Sequence, residues 1–120
     1  MYKLTYLNFR YNEFTEIPNV IYKILSLIGL NLSGNRKVES VSETIAQLKN
    51  LRELDISNCA IKKLPDSFWE IKSLMYLNFA NSSIEEIPDA IFYLPKLKSL
   101  DLTGTTLSDE RKYDLAVKNY

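Results

Sequence analysis

Five copies of one apolar pattern run through the chain, and they constrain its fold more than any other feature. Each copy opens with a leucine, and the spacings between these leucines are 23, 24, 23 and 23 residues. The opening residues are Leu4, Leu27, Leu51, Leu74 and Leu97. A unit of this length cannot bury its apolar side alone, but stacked neighbours can bury it together. The sequence therefore predicts a stack of similar units that share one continuous core.

Two apolar rhythms alternate within each copy. The first half has the period-two pattern seen in residues 7–9, which is typical of a short strand. In four copies the second half spaces its apolar residues by four and then three positions, as Ile17, Ile21 and Ile24 do. This spacing indicates a short helix or 3₁₀ turn. We expect a proline in the first turn of three of these segments, because its missing N–H costs nothing there. The prolines are Pro18, Pro65 and Pro88.

The copies resemble leucine-rich repeats of the pattern LxxLxLxxNxLxxLPxxIxxL. The third and fourth copies match it best, with LRELDISNCAIKKLPDSFWEIKS and LMYLNFANSSIEEIPDAIFYLPK. The resemblance implies an α/β solenoid, a right-handed, horseshoe-like arc with a parallel β-sheet on the concave face and short helices or 3₁₀ turns on the convex face. Its repeats span 4–26, 27–50, 51–73, 74–96 and, in part, 97–107. We expect Leu54, Leu77 and Leu100 to be fully buried.

In repeats of this type an Asn follows each strand, and its side chain bonds backbone groups at the turn. The corresponding ladder positions here are Asn12, Asn35, Cys59, Ser82 and Thr105. The last three side chains are shorter or poorer hydrogen-bonding groups than Asn. We therefore expect the C-terminal half of the ladder to be the weaker half, and we expect Cys59 to be buried and unreactive.

The two ends of the array differ. Ser108 precedes two acids, a pattern typical of a helix start, so residues 108–120 are predicted to form a C-terminal capping helix. Its apolar face would comprise Tyr113, Leu115, Ala116 and Val117. No equivalent precedes Leu4, so we expect self-association through the uncapped N-terminal repeat. The apolar residues left without a neighbouring repeat would be Leu4, Leu7, Phe9, Phe14, Ile17 and Ile21.

The composition argues against catalysis. The chain has no histidine and only one cysteine, which removes the commonest general base and the usual metal ligands. We predict no catalytic residue, cofactor or metal site, and therefore no enzyme. Fifteen basic residues balance fifteen acidic ones, which disfavours nucleic acid as a partner. The sequence has no apolar run of membrane length and no secretory signal, so we expect no membrane partner and a cytoplasmic location. The alternative is that a signal peptide was removed from the chain beforehand.

The resemblance places the polar strand positions on one concave surface, which is the predicted face for a protein partner. The alternative interpretation is an ordinary solvated polar face. Tyrosine and arginine are enriched at binding hot spots, which favours recognition. The candidate residues are Tyr6, Asn8, Arg10, Tyr11, Asn31, Glu53, Asp55, Tyr76, Asn78 and Asp101.

Two further alternatives concern other parts of the chain. An aromatic column on the convex side, Tyr22, Ala46, Trp69 and Phe92 with Tyr93 adjacent, would be either a partner patch or packing between helices. We favour packing, because regularly spaced aromatic residues are more often core. The second alternative concerns function: the chain would be a structural C-terminal segment of a longer leucine-rich repeat protein, with the activity in upstream repeats or a fused domain.

Overall fold

The computed structural model describes residues 3–117 and confirms the solenoid, with one three-residue strand in each repeat. The strands are β1 (Tyr6–Asn8), β2 (Gly29–Asn31), β3 (Glu53–Asp55), β4 (Tyr76–Asn78) and β5 (Ser99–Asp101). They form one parallel sheet in chain order. The register pairs equivalent residues throughout, from Leu7 with Leu30 to Leu77 with Leu100. Every column read along the sequence is therefore a row across the sheet.

The opposite side of each of the first four repeats is a five-residue 3₁₀ helix. The four helices are Asn19–Lys23, Glu43–Gln47, Asp66–Glu70 and Asp89–Tyr93. The prolines lie one position earlier than expected: Pro18, Pro65 and Pro88 are the N-caps, with ψ of 134°, 150° and 161°, and not part of the first turn. In the second repeat Ser42 takes this position and accepts the Thr44 N–H at 3.2 Å.

The core is one column of aliphatic and aromatic side chains between the sheet and the 3₁₀ helices. Leu54 and Leu77 are buried there, as expected. Leu100 is only partly buried, which corrects the expectation for that residue. It lies in the fifth repeat, where the following element covers part of the strand and leaves a cavity beside Leu100 and Leu102.

The ladder weakens toward the C-terminus, as expected. The Asn35 side-chain Nδ2 donates to the carbonyls of Phe9 and Leu32, at 2.9 and 2.7 Å, and so ties the first repeat to the second. Cys59 is buried, and its Sγ donates to the Leu32 carbonyl at 3.2 Å. The hydroxyls at the last two ladder positions donate only to carbonyls of their own repeats, at 2.6 and 2.9 Å. Side-chain cross-links of the ladder therefore join only the first three repeats.

The predicted capping helix is present as α1 (Asp109–Ala116), and residues 118–120 of that prediction lie outside the described residues. The Ser108 hydroxyl accepts the Arg111 N–H at 3.2 Å. The apolar face is narrower than expected, because Leu115 alone is buried and Tyr113, Ala116 and Val117 are exposed. The helix therefore covers the last repeat only in part, chiefly through Leu115.

The first repeat exposes part of the apolar surface that its counterparts bury. Leu4 is 44% exposed, whereas the leucines that open the other repeats are buried. Leu7, Phe9 and Phe14 are partly buried. Ile17 and Ile21, expected to lack a packing partner, are buried. No helix within residues 3–117 is long and apolar enough to cross a membrane.

The convex aromatic column is mainly packing, as favoured. Tyr22 and Trp69 are buried, and the Tyr22 hydroxyl accepts the Ser42 N–H at 3.1 Å. Burial raises the pKa of Tyr22 above its usual value. Phe92 is partly buried beneath the Arg111 guanidinium, whereas Tyr93 is 78% exposed. The column therefore presents no continuous aromatic patch.

Candidate interaction face

The concave side of the sheet forms an open groove of about 490 Å³ that reaches from β1 to β5. Its floor is made by the middle leucines of the first four strands, and two rows of outward-facing residues line it. The outer row is Tyr6, Gly29, Glu53, Tyr76 and Ser99. The Asx row is Asn8, Asn31, Asp55, Asn78 and Asp101. Successive side chains of a strand point to opposite faces. Because the middle leucine of each strand points toward the core, the residues on either side of it point toward the groove.

The Asx row is held rigid by the backbone. Each side chain accepts, through Oδ1, the N–H of the residue two positions later, at 2.9–3.1 Å. Asp55 Oδ1 also accepts the Ser57 hydroxyl at 2.6 Å. Such Asx turns satisfy the backbone where the strand ends. They also fix the orientation of each side chain, and with it the second atom, an amide nitrogen or a carboxylate oxygen.

Tyr6 and Glu53 meet above Gly29. A Cβ atom at Gly29 would lie 2.5 Å from Tyr6 Cδ1 and 3.2 Å from Glu53 Oε2, so only glycine allows both side chains to lie there. Tyr6 nevertheless remains 58% exposed, with ring surface free toward the groove. Tyr76, on the strand that follows Glu53, is 41% exposed. The carboxylate of Glu53 therefore lies in a row between two accessible tyrosines.

Tyr11 occupies the turn after β1 in a left-handed conformation, with φ of 57°. All five repeats have positive φ at this position, and the other four residues are glycine or asparagine: Gly34, Asn58, Asn81 and Gly104. Those residues tolerate this region, whereas a bulky side chain is strained in it. The Tyr11 ring lies over Gly34, is 75% exposed, and has the Arg10 guanidinium 6.0 Å from its centre.

The structure brings eight of the ten predicted residues into the groove. Arg10 and Tyr11 do not line the groove, because they lie in the turn that follows β1. Apart from the leucines of the floor, two lining residues, Gly29 and Ser99, were not among the candidates. Both belong to the outer row. Each directly precedes the middle leucine of its strand, as Tyr6, Glu53 and Tyr76 do, and this position could have identified them. Within residues 3–117 no group of three potential ligands is arranged to hold a metal ion.

The groove is acidic although the chain as a whole is neutral. Glu53, Asp55 and Asp101 line it, and no lysine or arginine among residues 3–117 does. Across the same described range, the only ion pair joins Arg111 to Asp89, which begins the fourth 3₁₀ helix on the convex side. The three carboxylates consequently have no cationic partner within this part of the chain.

Family models describe the same repeats. A leucine-rich repeat model matches residues 49–107, a model of two leucine-rich repeats matches 26–69, and a single-repeat model matches 3–24. TMV resistance protein N of Nicotiana glutinosa is 41% identical over 51 residues, which are 42% of this chain and 4% of that protein. Mouse vasorin is 36% identical over 55 residues, which are 45% of this chain and 8% of vasorin. The chain thus matches only a small part of these curated relatives.

Solved structures share the fold over most of the chain. A leucine-rich repeat protein of Leptospira interrogans superposes with a TM-score of 0.77 and 27% identity, covering 93% of this chain and 34% of that one. The functional domain of InlJ from Listeria monocytogenes gives a TM-score of 0.75 and 26% identity, covering 88% of this chain and 22% of that one. Domains of this kind generally mediate protein–protein interaction and are typically non-enzymatic scaffolds. With five matching repeats in sequence and in structure, the chain belongs to the leucine-rich repeat family.

Proposed function

We propose that the chain is a protein-binding scaffold that recognises its partner through the concave groove. The observation that carries the proposal is the combination of a preformed groove and accessible aromatic side chains within it. Tyr6 and Tyr76 stand on either side of the groove's centre, and tyrosine is among the residues that dominate binding energy at interfaces. Because Oδ1 of each residue in the Asx row is already bonded to the backbone, a partner would meet groups that lose little further freedom.

Tyr11 supports the same proposal from outside the groove. A tyrosine in the left-handed region is less favourable than the glycine or asparagine found at the equivalent turns. Its exposed ring buries no core surface that would offset this strain. A role in contacting a partner gives the residue a reason to be there, and Arg10 beside it extends the same contact surface.

Selection from a phage-displayed library of random peptides on the immobilised chain tests the proposal. We expect most selected peptides to bind the double variant Tyr6→Ala, Tyr76→Ala at least about tenfold more weakly than the wild type, as truncated hot spots generally do. The control is Tyr93→Ala, which removes an even more exposed tyrosine from the convex side. Equal losses in both variants, or no loss in the concave variant, would refute recognition through the groove.

The structural-segment hypothesis has no comparable support at the level of residues. A purely structural segment would have no need for three carboxylates without counter-ions or a strained exposed tyrosine on its surface. We therefore put the binding function first.

A further inference from the structure

The groove's charge restricts what can cover it. Glu53, Asp55 and Asp101 are each half-buried already, and a partner seated on the groove would remove most of their remaining water. Transferring an unpaired carboxylate out of water is costly unless a cation replaces the lost hydration. A neutral or acidic surface would therefore leave the three carboxylates uncompensated, whereas a basic one would pair them.

The neighbouring groups also suit a cation. Glu53 lies in its row between Gly29, which the Tyr6 ring covers, and Tyr76. Ammonium and guanidinium groups are attracted to the faces of aromatic rings, so rings next to a carboxylate reinforce its preference for lysine or arginine. The free Oδ2 atoms of Asp55 and Asp101 supply two more acceptors, since in both residues it is Oδ1 that bonds the backbone.

The dimensions restrict the partner's shape. Five strands about 4.8 Å apart make a groove roughly 19 Å long, and two rows of side chains make it about 7 Å wide. A strip of this size holds one extended segment of about six residues lying across the strands. Along a strand Glu53 and Asp55 are about 7 Å apart, and Asp55 and Asp101 are about 10 Å apart across the sheet. For a segment lying across the strands, Glu53 and Asp55 face its two sides, and Asp101 lies about 10 Å further along it, so the long, flexible side chains of lysine or arginine can reach all three carboxylates.

From these observations we propose that the groove binds an extended, lysine- or arginine-bearing segment of a partner protein, with Glu53, Asp55 and Asp101 as its counter-ions. The inference rests on the proposed function and adds the chemistry of the ligand. Glu53 pairs the cation held between the tyrosines, and the two aspartates pair two further cations of the segment.

A charge-neutralised variant that leaves the fold intact tests the inference. Asn already performs the Asx-turn role at three positions of the row, so Asp55→Asn and Asp101→Asn keep the backbone bond and remove only the charge. Glu53→Gln completes the groove variant. The matched control Glu39→Gln, Glu85→Gln, Glu86→Gln removes three exposed carboxylates outside the groove and changes the net charge equally. Thermal melting of both variants checks that each is folded.

The probe is a fluorescein-labelled hexapeptide of alternating lysine and threonine, measured by fluorescence anisotropy at low ionic strength. We expect the groove variant to bind it at least about tenfold more weakly than the wild type, and the control to stay within about twofold. The same peptide with glutamate in place of lysine should not bind. Equal affinity of the wild type and the groove variant, or an equal loss in the control, would overturn the proposed ligand chemistry.

The composition of the phage-selected peptides separates this inference from the proposed function. Peptides that depend on Tyr6 and Tyr76 and are rich in lysine or arginine support both. Peptides that depend on the two tyrosines but are neutral or acidic leave groove binding intact and refute the basic segment. Peptides that ignore both tyrosines refute the proposed function itself.

Discussion

Tyr11 has a backbone conformation that suits its counterparts in the other repeats better than it suits tyrosine. Its φ of 57° matches those of Asn58 and Asn81, which are both 56°. Asparagine enters the left-handed region at lower cost because its short side chain tolerates it. We therefore predict that Tyr11→Asn raises the free energy of unfolding by about 0.5–1 kcal/mol. Urea denaturation measures it, and a clear loss of stability would show that the contact with Gly34 outweighs the strain.

Cys59 is predicted to be inert in the folded chain. Burial raises the pKa of its thiol to about 11 from an ordinary 9.0, so at pH 8 the folded chain holds about 100-fold less reactive thiolate. A thiol reagent should therefore modify Cys59 slowly in the native state and rapidly in denaturant. Rapid native labelling would mean that Asn58 and not Cys59 takes the inward ladder position.

The same shift has a consequence for stability. Because the folded-state pKa of Cys59 lies above the unfolded value, its contribution is fully present below pH 9 and is lost as the pH rises toward 11. We expect the melting temperature to fall over that interval by less in Cys59→Ser than in the wild type. Identical pH profiles would show that the thiol titrates alike in both states.

At the scale of elements, the polar contacts between α1 and the fourth repeat come mainly from Arg111. Its guanidinium donates twice to the Ile87 carbonyl, at 3.2 and 2.6 Å, pairs with Asp89 at 2.8 Å and lies 5.4 Å from the centre of the Phe92 ring. The carbonyl bonds are partly buried, whereas Asp89 is exposed. The helix is therefore held more by hydrogen bonds to the backbone than by charge.

Two substitutions separate these contributions. Arg111→Met keeps the apolar stem and removes the donors, and we expect it to lower the free energy of unfolding by about 1–3 kcal/mol. Asp89→Asn removes only the exposed ion pair and should cost about 0–1 kcal/mol. Hydrogen exchange of α1 should quicken in the first variant and not in the second. An equal loss in both would make the ion pair the dominant attachment.

The elements could be predicted from the sequence because each repeat presents the same apolar offsets. The strand positions and the sheet register follow from where the leucines recur, and the position of α1 follows from Ser108 and the two acids after it. Specific side-chain contacts between repeats could not be predicted from the sequence. The hydrogen bond from Arg111 to Ile87 and the packing of the Tyr6 ring over Gly29 depend on how neighbouring repeats stack. The same holds for Leu100, whose partial exposure reflects how much of the last repeat α1 covers. Of the candidate face, the eight strand residues that the resemblance places on the concave side line the groove, whereas Arg10 and Tyr11 lie on the turn after β1.

At the scale of the whole molecule, the first repeat is the surface where we expect a second copy to attach. Leu4 is exposed where its counterparts are buried, and Phe9 and Phe14 pack edge to face and remain partly exposed. In β2 the outward main-chain groups bond β1, whereas the equivalent groups of Tyr6 and Asn8 have no strand beside them among residues 3–117. Apolar surface and an open strand edge at one place favour association.

We therefore predict that the chain dimerises reversibly through this repeat as its concentration rises. Light scattering over a dilution series measures the mass of the wild type and of Leu4→Lys, which places a charge on the exposed surface and should remain monomeric. The control Tyr93→Lys also replaces an exposed side chain with lysine, but on the convex side, and this variant should still dimerise. A wild-type chain that stays monomeric at high concentration would show that the first repeat needs no cover.

The Asx row separates what a position contributes to folding from what it contributes to recognition. The turn uses only Oδ1, an atom that asparagine and aspartate share, and leaves out the atom by which they differ. Each repeat can therefore exchange a donor for a negative charge by one substitution without altering its turn. For protein engineering, each position of the Asx row can therefore be substituted separately. The ligand preference of the groove can be changed one repeat at a time while the fold stays the same.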